Sequence, residues 1–179
     1  TELCVRQILE SGLLPDGALQ LVSGSLGPML KHVGSQDIVS FTGSADIGLM
    51  LRSAPEILQN ATRFIAEQDS LNASLLGPDI LPRTAEFDLF AKEVFREMTT
   101  KAGQKCTSIR RIFVPEAQLE PTIQTLKKSL SQVVIGDPRD KDTQMGALVS
   151  EAQKRCVLEK AKLIGQDADC VTGDPEKFE

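Results

Sequence analysis

Three stretches of the chain carry residues able to do chemistry. The first is Ala102-Gly103-Gln104-Lys105-Cys106-Thr107-Ser108-Ile109-Arg110-Arg111, a cysteine in a glycine-containing segment with Lys101, Lys105, Arg110 and Arg111 around it. Nearby cations favour the thiolate, and a thiolate on an accessible loop suits covalent catalysis. The same pattern also describes a half-buried thiol with a solvated basic rim. The second is Glu67, which closes the apolar run Ala61 to Glu67 and precedes Gln68-Asp69-Ser70-Leu71-Asn72. A carboxylate delivered to the carboxyl edge of a sheet can act as a base, or simply face water. The third is Phe41-Thr42-Gly43-Ser44-Ala45-Asp46-Ile47-Gly48, where an apolar run passes through a glycine into a helical pattern. The free N–H groups and the dipole at a helix N-terminus attract anions, and Gly43 lets a ligand approach the backbone. The spacing is neither the dinucleotide fingerprint nor a P-loop, since Gly48 is followed by Leu49-Met50, and Ser44 as a plain N-cap also accounts for it.

Other reactive residue types fit no such pattern. His32, the one histidine, follows Lys31 with no Ser or Asp partner in view, so a surface imidazole suits it better than Ser-His-Asp or Cys-His machinery. Cys4, Cys156 and Cys170 lie within or beside apolar runs and are expected in the core. The four cysteines match neither a zinc spacing nor the dense framework of a small secreted domain, so free thiols and no metal site are expected.

Positioning these groups falls to a chain of 179 residues, 41% hydrophobic and 25% charged. A domain of that size buries roughly 70% of its unfolded surface, enough for a core. The net charge is -5 and Trp and Tyr are absent, which meets neither the electrostatic nor the stacking requirement of nucleic-acid binding. No apolar run approaches the roughly 20 residues of a membrane-spanning helix. The chain starts at Thr1 without an initiator Met or a leader pattern, and a cytoplasmic protein is expected.

Apolar periodicity predicts a helix over 1–11, short apolar runs over 18–22 and 37–41 of which the second favours a strand, and a short helix over 29–33. It further predicts a helix over 44–58 with Ile47, Leu51 and Ala54 facing the core, and a strand over 61–67. Helices follow over 84–101, 121–130 and 150–164, with strands over 109–114 and 168–172. The last helix is capped by Ser150 and stopped by Gly165. Strands alternating with helices imply βαβ units and a parallel sheet covered on both faces, with the ligand crevice beyond the carboxyl ends of the strands. The polar stretch from Gly173 to Glu179 is expected to fray.

Taken together, these stretches resemble the aldehyde dehydrogenase superfamily. The matching landmarks, in order, are Leu14-Pro15-Asp16-Gly17-Ala18-Leu19-Gln20-Leu21-Val22-Ser23-Gly24, Ile38-Val39-Ser40-Phe41-Thr42-Gly43-Ser44 with Gly48, Glu67, Gly103-Gln104-Lys105-Cys106 with Arg110, and Gly136-Asp137-Pro138 with Met145-Gly146. The resemblance implies an α/β fold in which residues 1–67 are the second half of a Rossmann-like NAD(P)-binding domain and residues 68–179 the first part of a catalytic domain. It implies oxidation of an aldehyde to an acid with NAD or NADP. Cys106 would attack the aldehyde carbon, Glu67 would activate the water that hydrolyses the thioester, and the Cys106 N–H would form half of the oxyanion hole. Ser44 and Gly43, with Gly24 and Gly48, would belong to the coenzyme site. The oxyanion-hole asparagine, the residues that choose between coenzymes, the ribose-gripping glutamate and the oligomerisation strand would lie outside this stretch, and the full-length enzyme would be a homo-oligomer.

Two departures narrow the resemblance. The family usually follows the glutamate with Leu-Gly-Gly-Lys, where this chain has Gln68-Asp69-Ser70-Leu71, so the backbone freedom of two glycines is expected to be missing. The interval from Glu67 to Cys106 is also a few residues longer than usual, with 82–88 as the expected insertion. With Met98-Thr99-Thr100-Lys101-Ala102-Gly103-Gln104-Lys105-Cys106-Thr107, these features look most like the aldehyde dehydrogenase part of phenylacetate- and benzoate-degradation enzymes, whose substrates are semialdehydes linked to coenzyme A. A reductase of acyl thioesters or acyl phosphates and an inactive structural module are the competing readings.

Overall fold

The computed structural model describes residues 1–173; of the stretch expected to fray, only Gly173 lies among them. The chain divides into two compact units, Thr1–Gln68 and Asp69–Glu179.

In the first unit, helix α1 (Glu2–Glu10) and a 3-10 turn (Met29–His32) precede strand β1 (Ile38–Gly43), helices α2 (Ala45–Arg52) and α3 (Pro55–Gln59), and strand β2 (Arg63–Gln68). Strands β1 and β2 pair in parallel from Ile38↔Arg63 to Gly43↔Gln68. The intervening helices make the crossover that parallel pairing requires. The helix expected over 44–58 is broken at Ala54, whose extended angles (φ -59, ψ 136) follow from the steric demand of Pro55 on the residue before it. Of its expected core residues, Leu51 and Ala54 are half-buried while Ile47 is exposed. Beyond the break, Ile57 is buried, and side chains tie the start of β2 to the loop before β1: Asn60 Nδ2 donates to Val33 O (2.8 Å) and Thr62 Oγ1 to Gly34 O (3.0 Å). The apolar run 18–22 forms no strand, because no neighbouring strand among the described residues offers it a ladder.

The second unit holds β3 (Ala73–Leu75), α4 (Ala85–Thr99), β4 (Arg111–Phe113), α5 (Glu116–Leu130) and α6 (Glu151–Ile164). Here β3 and β4 are parallel, with Ala73↔Arg111 and Leu75↔Phe113 in register. The core lies along α4: Phe87, Ala91 and Val94 are buried at helical spacing, and Thr84 caps the helix by accepting from Phe87 N–H (3.3 Å). Helix α5 starts at Glu116, ahead of the expected Pro121. Buried Gln118 fixes that additional turn by donating from Nε2 to Ile80 O (2.7 Å). Helix α6 begins at the expected Ser150 cap, but Gly165 closes it with helical angles (φ -63). Residues 168–172 form no strand; they follow α6 as an irregular segment.

The two-stranded sheets leave Ile38, Ile65, Leu75 and Phe113 more than half exposed, so the expected covering of both sheet faces is not found in either unit. The buried apolar set among the described residues is correspondingly narrow: Ile57, Leu76, Phe87, Ala91 and Val94.

Candidate active site

In the first unit the backbone builds the site. Gly43 is the last residue of β1 and pairs with Gln68, so the turn into α2 starts beside Glu67 at the carboxyl end of β2. A Cβ at Gly43 would stand 2.5 Å from Phe41 Cζ, and the absence of one allows the strand to turn over that ring. Ser44 is extended (φ -72, ψ 150) and its Oγ accepts from Ile47 N–H (3.4 Å), so the plain N-cap is present. Gly48 is buried, and a Cβ there would collide with the Gln68 side chain; its small size lets α2 approach the end of β2. Gly24 (φ 118) sits in the exposed irregular loop between α1 and β1, in a conformation that favours glycine. Glu67 is exposed on β2, and His32 is exposed as expected.

The second unit builds its site with side chains. Helix α4 ends in a 3-10 segment where Lys101 (φ 53), Ala102 (φ 54) and Gly103 (φ 71) are all left-handed, two of them without glycine's freedom. Cys106 follows in an exposed irregular turn. Its neighbour Lys105 is directed to α4: Nζ donates to Glu97 Oε1 (3.0 Å) and Oε2 (3.2 Å), with Glu97 almost fully buried. Arg110 donates from Nη1 to Gly103 O (2.8 Å) and from Nη2 to Lys105 O (3.1 Å), so two of the four cations are committed to holding the turn. Gln104 links it onward, donating to Lys101 O (3.1 Å) and accepting from Val149 N–H (3.1 Å).

The Cys106 carbonyl is held from the other side. Ser70 Oγ donates to it, and Asn72 Nδ2 donates both to it (2.7 Å) and to Ser108 O (3.1 Å). The main-chain carbonyl of Asn72 in turn accepts from Arg110 N–H (2.8 Å) and Arg111 N–H (3.1 Å). Neither Ser70 nor Asn72 stood out in the sequence; the signal available was two hydrogen-bonding residues just beyond Glu67.

Three sequence expectations need correction. Cys4, Cys156 and Cys170 are exposed, as is Cys106, because their helices and C-terminal segment present them to solvent. The backbone freedom expected to vanish with the glycines after Glu67 is partly kept, since Asp69 takes φ 41; aspartate tolerates the left-handed region better than most residues. The predicted helix to Lys101 stops at Thr99 because the left-handed residues end it. The last landmark pair does meet: Gly136 N–H donates to Met145 O (3.1 Å), and Ile135 bridges Met145.

Each unit is thus of the α/β class, built on one parallel strand pair, with a glycine turn at a strand's carboxyl end in the first and an accessible cysteine in a tethered loop in the second. A model of the aldehyde dehydrogenase family matches residues 1–179, and the chain belongs to that family. It is 41% identical over 175 residues to the 3,4-dehydroadipyl-CoA semialdehyde dehydrogenase of Aromatoleum evansii, covering 98% of this chain and 34% of that protein. It is 25% identical over 174 residues to the 1-pyrroline-5-carboxylate dehydrogenase of Geobacillus thermodenitrificans, covering 93% and 33%. Among solved structures, the betaine aldehyde dehydrogenase of Staphylococcus aureus, crystallised with NAD+, superposes with a TM-score of 0.79 at 22% identity over 93% of this chain and 32% of that one. The fold is thus that of part of an aldehyde dehydrogenase, and the chain spans about a third of the length of these relatives. No helix among the described residues is long and apolar enough to cross a membrane.

Proposed function

We propose that this chain contributes the thiol, the base and part of the coenzyme cradle to an NAD- or NADP-dependent oxidation of an aldehyde. The observation that carries the reading is the state of Cys106: exposed, in an irregular turn whose flanking carbonyls are both tied down. The Cys106 thiolate adds to the aldehyde carbon, forming a C–S bond while the carbonyl oxygen takes the negative charge. The Cys106 N–H donates to that oxygen. The chemistry a bound nicotinamide coenzyme would supply is that of hydride acceptor for this carbon. Glu67 then takes a proton from the water that displaces Sγ from the resulting thioester, releasing the acid and restoring the thiolate.

The cradle suits a nucleotide pyrophosphate. The Gly43 turn and the first N–H groups of α2 face the carboxyl edge of parallel strands, the usual place for such a group, although Asp46 in the first turn opposes it. In this reading Gly48 acts by letting α2 approach β2, and residues 1–67 and 68–179 are the coenzyme and catalytic portions. The relationship to a coenzyme A semialdehyde dehydrogenase favours a substrate of that class, and the family resemblance read from the sequence adds aromatic-acid degradation in a cytoplasmic homo-oligomer. The 179 residues alone are expected to show no turnover, since the relatives they match are about three times as long.

The test is Cys106→Ala in the intact enzyme. Aldehyde-dependent coenzyme reduction should be lost; reduction that persists removes Cys106 from the mechanism.

A further inference from the structure

Cys106 belongs to no helix or strand, so no backbone ladder fixes it. The orientation of any residue is set by its two flanking peptide planes, because only φ and ψ are soft. Both planes around Cys106 are held through their carbonyl oxygens by side chains. Lys105 O accepts from Arg110 Nη2 (3.1 Å) and Ser108 N–H (3.0 Å). Since a trans peptide directs its N–H opposite its C=O, that hold also aims the Cys106 N–H. Cys106 O accepts from Ser70 Oγ and from Asn72 Nδ2 (2.7 Å). Among the described residues the N–H groups of Cys106 and Thr107 make no hydrogen bond, so both remain available while their carbonyls are occupied.

We infer that Ser70 and Asn72 are positioning residues for the Cys106 thiol: they lock the peptide plane after Cys106, and with Arg110 on the plane before it they hold the cysteine in one main-chain conformation. This deepens, and rests on, the reading of Cys106 as the nucleophile. The Ser70 contact is peculiar to this sequence relative to the family pattern stated above, in which a glycine at that place has no side chain to donate. The clamp also links the Cys106 turn to the segment that directly follows Glu67, so one short stretch, Ser70 to Asn72, governs the thiol's geometry.

The experiment uses the four exposed thiols of the intact protein, with Cys4, Cys156 and Cys170 as internal references for Cys106. Iodoacetamide labelling is followed peptide by peptide by mass spectrometry in the parent, in Ser70→Ala, in Ser70→Thr and in Ser70→Ala/Asn72→Ala. Misplacing a reacting group costs rate, so Cys106 labelling in the double variant should fall about tenfold with the reference thiols unchanged. Ser70→Thr, which keeps the hydroxyl, should label as the parent does while Ser70→Ala labels more slowly. Unchanged Cys106 labelling in the double variant overturns the inference. If the double variant shifts all four thiols together, the single pair decides: equal Cys106 rates in Ser70→Ala and Ser70→Thr overturn it and unequal rates support it. A parent Cys106 no faster than the reference thiols would instead remove the nucleophile reading, and the variants would still judge the clamp.

Discussion

The turn at Gly43-Ser44 and the loop at Cys106 are held in opposite ways. At the first, backbone does the work: a parallel ladder runs to its last pair, a glycine turns over Phe41, and a helix begins with a serine cap. At the second, side chains hold each carbonyl in turn, that of Lys105 from nearby Arg110 and that of Cys106 from distant Ser70 and Asn72, and a left-handed segment leads in. Backbone scaffolding is tolerant of what the neighbouring side chains are, whereas side-chain clamping fails one donor at a time.

The largest expected effect separates position from chemistry. Glu67 pairs with Thr42 in the β1–β2 ladder, so Glu67→Gln keeps the geometry and removes only the carboxylate that the proposed mechanism uses as its base. Turnover should fall by about 10² to 10⁴ while the first equivalent of reduced coenzyme still forms rapidly, which stopped-flow absorbance reads directly. Unchanged turnover would mean that another group activates water and that the strand end supplies scaffold alone.

The backbone-built region should yield to volume instead. In Gly48→Val the new side chain meets Gln68, and the overpacking should cost about 1–3 kcal/mol in urea unfolding. Adding Gln68→Ala should restore much of that loss, because the contact is with one side chain; additive losses would show that the backbone itself is displaced. A smaller effect is expected at Ser44→Ala, about 0.5–1 kcal/mol, since the lost cap is one long hydrogen bond of 3.4 Å. Ser44→Gly should lose less than that.

Legibility in the sequence follows the same division. The Gly43-Ser44 turn, the Ser150 cap and the α4 stripe were readable because each is local: a period, a cap residue, a glycine. Strand β3 was not, since Ala73-Ser74-Leu75 is too short for a pattern and exists through its pairing with β4. The run at 18–22 fails in reverse, with strand-like composition and no partner. Pro55 and Pro121 show both outcomes of one residue type: the first breaks a helix, while the second lies inside α5 because Gln118 holds the preceding turn. Around Cys106 the residue types were visible but the donors were not, as Ser70 and Asn72 reach it from more than thirty positions away.

A third, weaker way of holding a turn is present at Asp137, and it gives the smallest expected effect. The Asp137 carboxylate accepts from the Arg139 guanidinium (Nε at 3.0 Å) and from the Arg139 backbone N–H (2.9 Å). The side-chain bond is the larger cause, the backbone bond the next, and together they outweigh a small desolvation, so the carboxyl titrates below the usual carboxylate range. The folded turn therefore binds fewer protons than the unfolded chain over that window, and its stabilisation is present above the unfolded pKa and lost as pH falls through the folded one. Both groups are solvent-exposed, so little global stability depends on it. Arg139→Gln removes the guanidinium and leaves the backbone donor in place. The Asp137 carboxyl midpoint, followed by carbon-detected NMR, should consequently rise only part of the way to the usual value, and 1 M salt should move the parent midpoint in the same direction. A full return in Arg139→Gln would show that the backbone bond forms only when the side chain holds the turn, and so would place this loop with the side-chain-clamped region instead of between the two.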